Sequence, residues 1–225
     1  MKPNIKDFQK KLGFSNPDLL KTVFVHRSYL NEHKNENLTS NERLEFLGDS
    51  ILSFWVSQKL YLLYPHLPEG TLTNMRTILV RTETLAKIAE ELKLGDFLLL
   101  SLGEEKSGGR KNKSLLANTF EALVGAIFLD QGLEKTANFL AKQFDKLIFS
   151  LDEKDLKDYK SLLQEKVQTK EKEPPQYKVL KEEGPDHNKL FVVGVFAFGK
   201  LIGTGKGRSK QEAEENAAKN ALVNF

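Results

Sequence analysis

Apolar positions in the first 150 residues recur with the spacing of α-helices. The segment 85–92 has apolar residues at i, i+3, i+4 and i+7, which places them on one helix face. Gly95 follows where a helix C-cap is expected. Similar patterns predict helices over about 16–26, 40–64, 68–80, 113–130 and 133–149. Because no segment alternates apolar and polar residues over the length of a strand, an all-α domain is predicted.

The pattern changes character near residue 150. Residues 151–157 are mostly charged and predict a linker, and an amphipathic helix is predicted over 158–170. Pro174 and Pro175 end this helix, because proline cannot continue the helical hydrogen bonding. The predicted boundaries are an all-α domain over 1–150, a linker over 151–157 and a second domain over 158–225.

Three strands and a final helix are predicted in the second domain. Strand signals begin at 177–179, a turn is predicted at 184–186, and an apolar, aromatic and β-branched strand follows over 191–198. Residues 199–200 predict a tight hairpin turn into the third strand. The last helix, 209–224, has small residues on one face, which let it lie close to a sheet. The order α-β-β-β-α predicts an α+β domain, so the chain is multidomain.

Composition and charge exclude several classes of protein. The absence of cysteine excludes disulfides and Cys-based zinc sites, and the four histidines have no ligand-like spacing. No apolar run reaches the length of about 18 residues that crosses a bilayer, and residues 1–14 lack a secretory pattern. A cytoplasmic protein with no membrane partner is therefore expected. The net charge of +3 includes no polybasic arm, so nucleic-acid binding would have to rest on local clusters.

Acidic side chains share faces on two of the predicted helices. Glu42, Glu45 and Asp49 stand at i, i+3 and i+7 on one helix. Asn118 and Glu121 stand at i and i+3 on another, almost wholly apolar helix, which is expected to be buried. A buried carboxylate is costly unless it is paired, protonated or bound to a cation. Two such helices predict a divalent-metal site, and their oxygen ligands favour Mg²⁺ or Mn²⁺.

Each acidic residue also has a simpler interpretation. Glu42 follows Thr39 by three residues, as in a capping box. Glu45 or Asp49 alone would be a partly exposed helix residue, and Glu121 alone would fit an interhelical ion pair with an arginine. One shared site explains these positions more simply than separate coincidences, so the metal site is the favoured hypothesis.

The segment NERLEFLGDS, residues 41–50, resembles the signature motif of the ribonuclease III family nearly residue for residue. Further segments resemble the family in order and spacing: HRSYLNE (26–32), PEGTLTNMRTILV (68–80), LGDFLLLS (94–101), the Gly108-Gly109 loop and LLANTFEALVGAIFLD (115–130). Residues 158–225 resemble a double-stranded-RNA-binding domain. The resemblance implies an all-α ribonuclease III endonuclease domain followed by an α+β (α-β-β-β-α) double-stranded-RNA-binding domain.

The resemblance also implies roles for the acidic residues. Glu45, Asn118 and Glu121 would be metal ligands. Asp49 and Glu121 would be catalytic, with Asp49 orienting the ligands and the attacking water. His26 is interpreted as a structural histidine without a chemical role.

Two further acidic positions and one departure complete this comparison. Glu42 and Glu69 match accessory acidic positions, although Glu69 also fits a first-turn residue favoured by the helix dipole. The family usually has aspartate where this chain has Asn118. An amide oxygen still coordinates a hard cation but brings one less negative charge. Weaker Mg²⁺ binding, with a need for Mn²⁺ or more metal, is the expected direction.

Candidate RNA-binding residues occur in three parts of the second domain. They are Gln164 and Glu165 in the first helix, His187 in the loop 184–189, and Lys206, Arg208 and Lys210 near the start of the last helix. The first three would reach minor-groove hydroxyls, and the basic residues would bind phosphate with help from the helix dipole. Three basic residues in five could alone merely solvate a helix start. The α-β-β-β-α order and the GPDH segment of the loop (184–187) favour RNA binding.

By this resemblance the chain is a homodimeric, Mg²⁺-dependent endoribonuclease, with Mn²⁺ as a substitute and no small-molecule cofactor. It would cleave double-stranded RNA to 5′-phosphate and 3′-hydroxyl ends, in the processing of precursor rRNA and structured mRNA. The second hypothesis is a catalytically weakened or silent double-stranded-RNA-binding regulator, for which Asn118 is the support. A double-stranded-RNA deaminase is excluded because its cysteine zinc ligands are absent.

Overall fold

The chain divides into two compact units between Leu151 and Asp152. A computed structural model describes residues 4–151, 159–170, 173–184 and 189–223. The described part of the first unit is helical, and the second contains a three-stranded sheet with two helices. The predicted all-α and α+β fold classes are therefore confirmed. Apart from Leu151, the predicted linker lies outside the described residues.

Eight α-helices are described in the first unit. They are α1 (Ile5–Leu12), α2 (Pro17–Val23), α3 (Arg27–Glu32), α4 (Glu42–Leu63), α5 (Glu69–Val80), α6 (Thr82–Glu91), α7 (Leu102–Lys106) and α8 (Lys113–Ser150). Short 3-10 segments span Leu94–Phe97 and Gly109–Lys111. Gly132 interrupts α8 with a φ of 79°, which is the predicted break between two helices. Across the described residues, each helix is too short or too polar to span a bilayer.

The predicted helix 16–26 is too long at its C-terminal end. α2 ends at Val23, because the backbone of the next residues turns to meet another segment of the chain. Val25 forms an isolated parallel bridge with Leu99, and His26 N–H donates to the Leu99 carbonyl over 3.1 Å. The short helices α1, α3 and α7 were not predicted, because five to eight residues carry little periodicity.

The sequence predicted Gly95 as a helix C-cap, and this prediction is wrong. The residue in the left-handed conformation after α6 is Lys93, with a φ of 57°. Gly95 lies inside the 3-10 segment Leu94–Phe97. A Cβ atom on it would overlap the backbone carbonyl of Arg110, so this glycine permits a close approach of two segments.

The second unit is an antiparallel sheet of order β1-β2-β3 with helices before and after it. Its elements are α9 (Tyr159–Gln168), β1 (Gln176–Glu183), β2 (Leu190–Ala197), β3 (Lys200–Gly207) and α10 (Lys210–Leu222). The hairpin turn is one residue earlier than predicted. Phe198 and Gly199 both have positive φ, 55° and 68°, as a two-residue hairpin turn requires, and Lys200 already belongs to β3.

Small residues on both elements let α10 pack closely on β3. Ala213, Ala217, Ala218 and Ala221 of α10 are fully buried in the core of this unit. They face Gly203, Gly205 and Gly207, where any Cβ atom would collide with the backbone of α10. The alanine face was predicted from the sequence. The alternating glycines that complement it were not.

Candidate active site and RNA-binding surface

Two glycines bring helices α4 and α8 together at the acidic residues. A Cβ atom on Gly48 would overlap the carbonyl of Glu121, and one on Gly125 would overlap the carbonyl of Leu44. The helix axes can approach this closely only because both side chains are absent. The sequence analysis missed these residues. Their signal is spacing, since Gly48 follows Glu45 by three positions and Gly125 follows Glu121 by four.

A cavity of about 600 Å³ opens where the two helices cross. Five of the predicted site residues line it, namely Glu42, Glu45, Asp49, Asn118 and Glu121. Asp49 is exposed, whereas Glu45, Asn118 and Glu121 are half-buried. The predicted acidic faces of the two helices therefore meet in one place.

Glu69 is not among the residues that line this cavity. It begins α5, where its carboxylate accepts a hydrogen bond of 2.9 Å from the hydroxyl of Thr73. This position agrees with the first-turn interpretation of Glu69. Within one copy of the chain, the described structure does not bring Glu69 to the acidic cluster.

Burial and neighbouring carboxylates raise the pKa of two residues of the cluster, Glu121 and Glu45. Burial, followed by the charges of Asp49 and Glu45, raises the pKa of Glu121 to about 7. Burial, and then the charge of Glu42, also raises the pKa of Glu45, while a hydrogen bond from Asn118 opposes that rise. Without a cation, the cluster therefore retains a proton close to neutral pH.

The donor set has the chemistry of a divalent-cation site. Four carboxylates and one amide on α4 and α8, all hard oxygen donors, line the same cavity. Burial and carboxylate repulsion raise the pKa of Glu121, and a cation there would favour its ionised form against both. Among the described residues, no three His, Asp or Glu side chains already form a chelating group.

Glu42 does not form the capping box considered from the sequence. Helix α4 begins at Glu42 itself, and Asn41 before it directs its side-chain amide to the carbonyl of Val23. The Glu42 carboxylate instead accepts a hydrogen bond of 2.8 Å from the Ser40 hydroxyl. It also lies 3.8 Å from the guanidinium of Arg27, a cavity residue that the sequence analysis did not single out.

His26 has the structural role that the sequence analysis favoured. Its Nδ1 accepts a hydrogen bond of 3.3 Å from the backbone N–H of Ser28, which caps helix α3. Burial lowers the pKa of His26, against the opposing charge of Glu104. An Nδ1 that accepts a hydrogen bond carries no proton, and burial disfavours the charged ring, so both effects favour the neutral imidazole.

In the second unit, the predicted RNA-binding residues lie in two places. Gln164 and Glu165 are exposed on α9. Lys206 at the end of β3, Arg208 and Lys210 are exposed around the start of α10. His187 lies outside the described residues.

Reciprocal hydrogen bonds fix the start of α10. The Ser209 hydroxyl accepts from the N–H of Glu212 over 3.1 Å, and the Glu212 carboxylate accepts from the N–H of Arg208 over 2.7 Å. These contacts resemble a capping box. The backbone that carries the basic residues is thereby held in one conformation.

Glu182 of β1 is a second residue that the sequence analysis missed. Its carboxylate oxygens lie 3.1 Å from the ammonium of Lys189 and 4.0 Å from that of Lys210. Lys210 also lies 5.8 Å from the ring centre of Phe191. An acidic group therefore stands beside a lysine predicted to bind RNA phosphate.

Comparison with known proteins gives the same division of the chain. Residues 16–147 match the family described as Ribonuclease-III-like, and residues 159–224 match the Double-stranded RNA binding motif. Ribonuclease 3 of Pelotomaculum thermopropionicum is 48% identical over 218 residues, which cover 96% of this chain and 90% of that protein. Ribonuclease 3 of Borreliella burgdorferi is 47% identical over 212 residues, covering 94% and 86%.

A solved structure shares the fold of the first unit. The nuclease domain of the Campylobacter jejuni ribonuclease III is 36% identical, with a TM-score of 0.59, and the match covers 68% of this chain and 100% of that domain. A helical nuclease domain joined to a double-stranded-RNA-binding domain defines an endoribonuclease that acts on double-stranded RNA. The chain belongs to the ribonuclease III family. The family resemblance and the enzyme class predicted from the sequence are confirmed.

Proposed function

We propose that the chain hydrolyses phosphodiester bonds of double-stranded RNA with divalent cations held by Glu45, Asn118 and Glu121. The observation that carries the proposal is the meeting of two acidic helix faces at one cavity, with the pKa of Glu121 raised to about 7. A carboxyl group in a cleft whose pKa is strongly raised by burial and by neighbouring charges is a candidate for a functional site. Mg²⁺ is the proposed ion and Mn²⁺ its substitute, because all the donors are hard oxygens.

The side chains divide the work according to their exposure and charge. Glu45, Asn118 and Glu121 would hold a divalent cation, which would supply a water of lowered pKa and stabilise the leaving oxygen, so that the products have 5′-phosphate and 3′-hydroxyl ends. Glu121 would have to lose its proton to act as a ligand. Its pKa of about 7 places that loss near neutral pH. Asp49 is more exposed than the ligands, so it suits the task of orienting the attacking water. The hydrogen bond from Asn118 holds the Glu45 carboxylate in place.

The second unit supplies affinity for the RNA. Lys206, Arg208 and Lys210 are proposed to bind phosphates, since charge and the start of α10 act together there. Gln164 and Glu165 are exposed and suited to minor-groove hydroxyls. His187 stays a prediction for the neighbouring loop.

A homodimer is proposed because one side of α4 presents unpartnered aromatic residues. Phe46, Phe54 and Tyr61 are 77%, 54% and 71% exposed, and their spacing of eight and seven positions keeps them along one side. Large exposed apolar surfaces commonly mark protein interfaces. A Campylobacter jejuni nuclease-domain structure is described by flexibility in a region involved in dimer formation, which supports the same arrangement here.

Other parts of the proposal rest mainly on the family resemblance. Precursor rRNA and structured mRNA are the proposed substrates, and the cytoplasm is the proposed location. Glu42 and Glu69 are proposed as accessory acidic residues that support catalysis or substrate handling.

The test is cleavage of a long, perfectly paired RNA with Mg²⁺, Mn²⁺ or EDTA. We expect fragments only with a divalent ion, and loss of cleavage with retained RNA binding in Glu121→Gln. Glu83→Gln is the comparison variant, because Glu83 is exposed on α6 and does not line the cavity. Full cleavage by Glu121→Gln would contradict the assigned roles.

The second candidate function is the silent regulator, and Asn118 is the observation that favours it. Asn118→Asp restores the carboxylate usual in the family and separates the two candidates. If only this variant cleaves, the natural chain is a weakened nuclease that acts mainly by binding RNA.

A further inference from the structure

Among the described residues, one basic side chain lines the acidic cavity of the candidate active site. Four carboxylates line it, those of Glu42, Glu45, Asp49 and Glu121. Arg27, the first residue of α3, is the only Lys or Arg among the described residues that line the cavity. An RNA phosphate that enters the cavity is repelled by these carboxylates. A positive group in the lining reduces that repulsion.

The present partner of Arg27 holds it weakly. The guanidinium lies 3.8 Å from the Glu42 carboxylate, and the two side chains are 74% and 55% exposed. Such an exposed pair contributes little because water screens it. Glu42 keeps a 2.8 Å hydrogen bond from Ser40 when Arg27 leaves. Exchange of this carboxylate for a phosphate therefore leaves no group unsatisfied.

The backbone beneath Arg27 is fixed, although its side chain is exposed and only weakly held. His26 caps α3 through its Nδ1, and the backbone N–H of His26 donates to the Leu99 carbonyl over 3.1 Å. The long side chain thus starts from a rigid point and ends in solvent. Little backbone entropy is lost when the guanidinium binds a ligand.

We propose that Arg27 leaves Glu42 during the reaction and binds an RNA phosphate next to the one that is cut. This inference rests on the proposed nuclease function. The planar guanidinium donates two parallel hydrogen bonds to phosphate oxygens, a geometry that lysine cannot reproduce. Arg27 is thus a substrate-binding residue that offsets the repulsion between RNA and the four carboxylates.

The experiment compares Arg27→Ala, Arg27→Lys and Arg43→Ala in the full chain. Arg43 neighbours Glu42 in sequence and is exposed, but it does not line the cavity. Steady-state cleavage of a defined RNA hairpin is measured over a range of KCl concentrations at saturating Mg²⁺ or Mn²⁺. We expect Arg27→Ala to raise KM about tenfold, as for one lost charge-assisted contact, with a smaller change in kcat. Arg27→Lys should lie between, and Arg43→Ala should remain near the unaltered chain.

The salt dependence separates phosphate binding from a structural role. Loss of one phosphate contact should reduce the slope of log KM against log salt by about 1 in Arg27→Ala. An unchanged slope, or an effect confined to kcat and the metal requirement, would overturn the inference and indicate that Arg27 only holds Glu42. If the unaltered chain and Arg43→Ala also fail to cleave, the proposed function itself is wrong.

Discussion

At the residue scale, Glu121 links the active site to the pH dependence of stability. Its pKa is raised from 4.5 to about 7 by burial and by the charges of Asp49 and Glu45. The folded state therefore disfavours the ionised carboxylate. The stability that comes from the protonated form is complete below the unfolded value of 4.5 and is lost as pH rises through about 7.

We therefore expect Glu121→Gln to stabilise the metal-free protein at pH 8. The amide resembles the neutral acid and escapes the cost of ionisation, a gain of about 1–2 kcal/mol after allowance for partial exposure. Thermal unfolding in EDTA should show a higher midpoint than the unaltered chain at pH 8 and no difference near pH 4.5. A gain that did not vary with pH would show that packing, not charge, is responsible.

Asn118 sets how much negative charge the site offers to a cation. Its amide oxygen is neutral, so Asn118→Asp adds a carboxylate beside Glu45 and Glu121. We expect the Mg²⁺ concentration for half-maximal cleavage to fall about tenfold, with a smaller change for Mn²⁺. Titration of cleavage with each metal measures this. Equal requirements in both proteins would mean that position 118 does not contact the ion.

At the element scale, the crossing of α4 and α8 depends on Gly48. Gly48→Ala places a methyl group on the carbonyl of Glu121, so the helices must separate and the acidic faces with them. We expect a loss of about 3 kcal/mol or more in the free energy of unfolding, together with impaired cleavage.

Gly70 provides the matched control for Gly48. It lies in α5 with nothing within 4 Å of a Cβ atom, so Gly70→Ala should be neutral or gain up to about 1 kcal/mol from helix propensity. Denaturant unfolding of both variants makes the comparison. Similar free energies for the two would refute the close helix contact.

A second prediction at the element scale concerns Glu182 of strand β1 and its effect on RNA binding. Removal of this charge takes away the carboxylate beside Lys210, which is also a group that repels phosphate. We expect Glu182→Gln to bind a double-stranded RNA about two- to fivefold more tightly at low salt, with a steeper salt dependence. Glu173→Gln is the control, because Glu173 is exposed and precedes the first residue of β1, far along the strand from Glu182. Weaker binding would instead mean that Glu182 positions the lysines for RNA.

The sequence allowed prediction wherever a feature depends on local spacing. Glu45 and Asp49, or Asn118 and Glu121, share helix faces whatever surrounds them, and the structure brings both faces to one cavity. The bounds of α4 and α5 agree with the predicted ones to within two residues. Their long apolar periodicity is a local property that tertiary contacts do not override.

Features that depend on tertiary contacts could not be predicted in the same way. Gly48 looks like any helical glycine until the carbonyl of Glu121 is placed against it. Phe198 adopts a positive φ, which is uncommon for an aromatic residue, so the hairpin turn was predicted one residue too late. Arg27 belongs to the site only because the Val25–Leu99 bridge brings the start of α3 to the cavity.

At the scale of the whole molecule, dimerisation through the exposed aromatic side of α4 would decide whether one or both RNA strands are cut in one encounter. If two copies meet through Phe54 and Tyr61, a dimer presents two acidic cavities to one RNA duplex. Phe54→Ser with Tyr61→Ser should yield a monomer, because the replacement removes two of the three exposed aromatic side chains that this side of α4 offers to a partner. Light scattering gives the mass, and denaturing and native gels of one cleaved RNA distinguish nicks from double cuts.

Leu102 is the control for this experiment, since it is 71% exposed on α7 rather than on α4. We expect Leu102→Ser to remain a dimer that releases duplex fragments, and the double variant to nick single strands slowly. Each cavity contains its own acidic residues from α4 and α8, so a monomer retains one site and can cut only one strand at a time. A monomer that still releases duplex fragments at the normal rate would separate dimerisation from double cutting, and an unaltered chain that is already monomeric would remove the proposed dimer altogether.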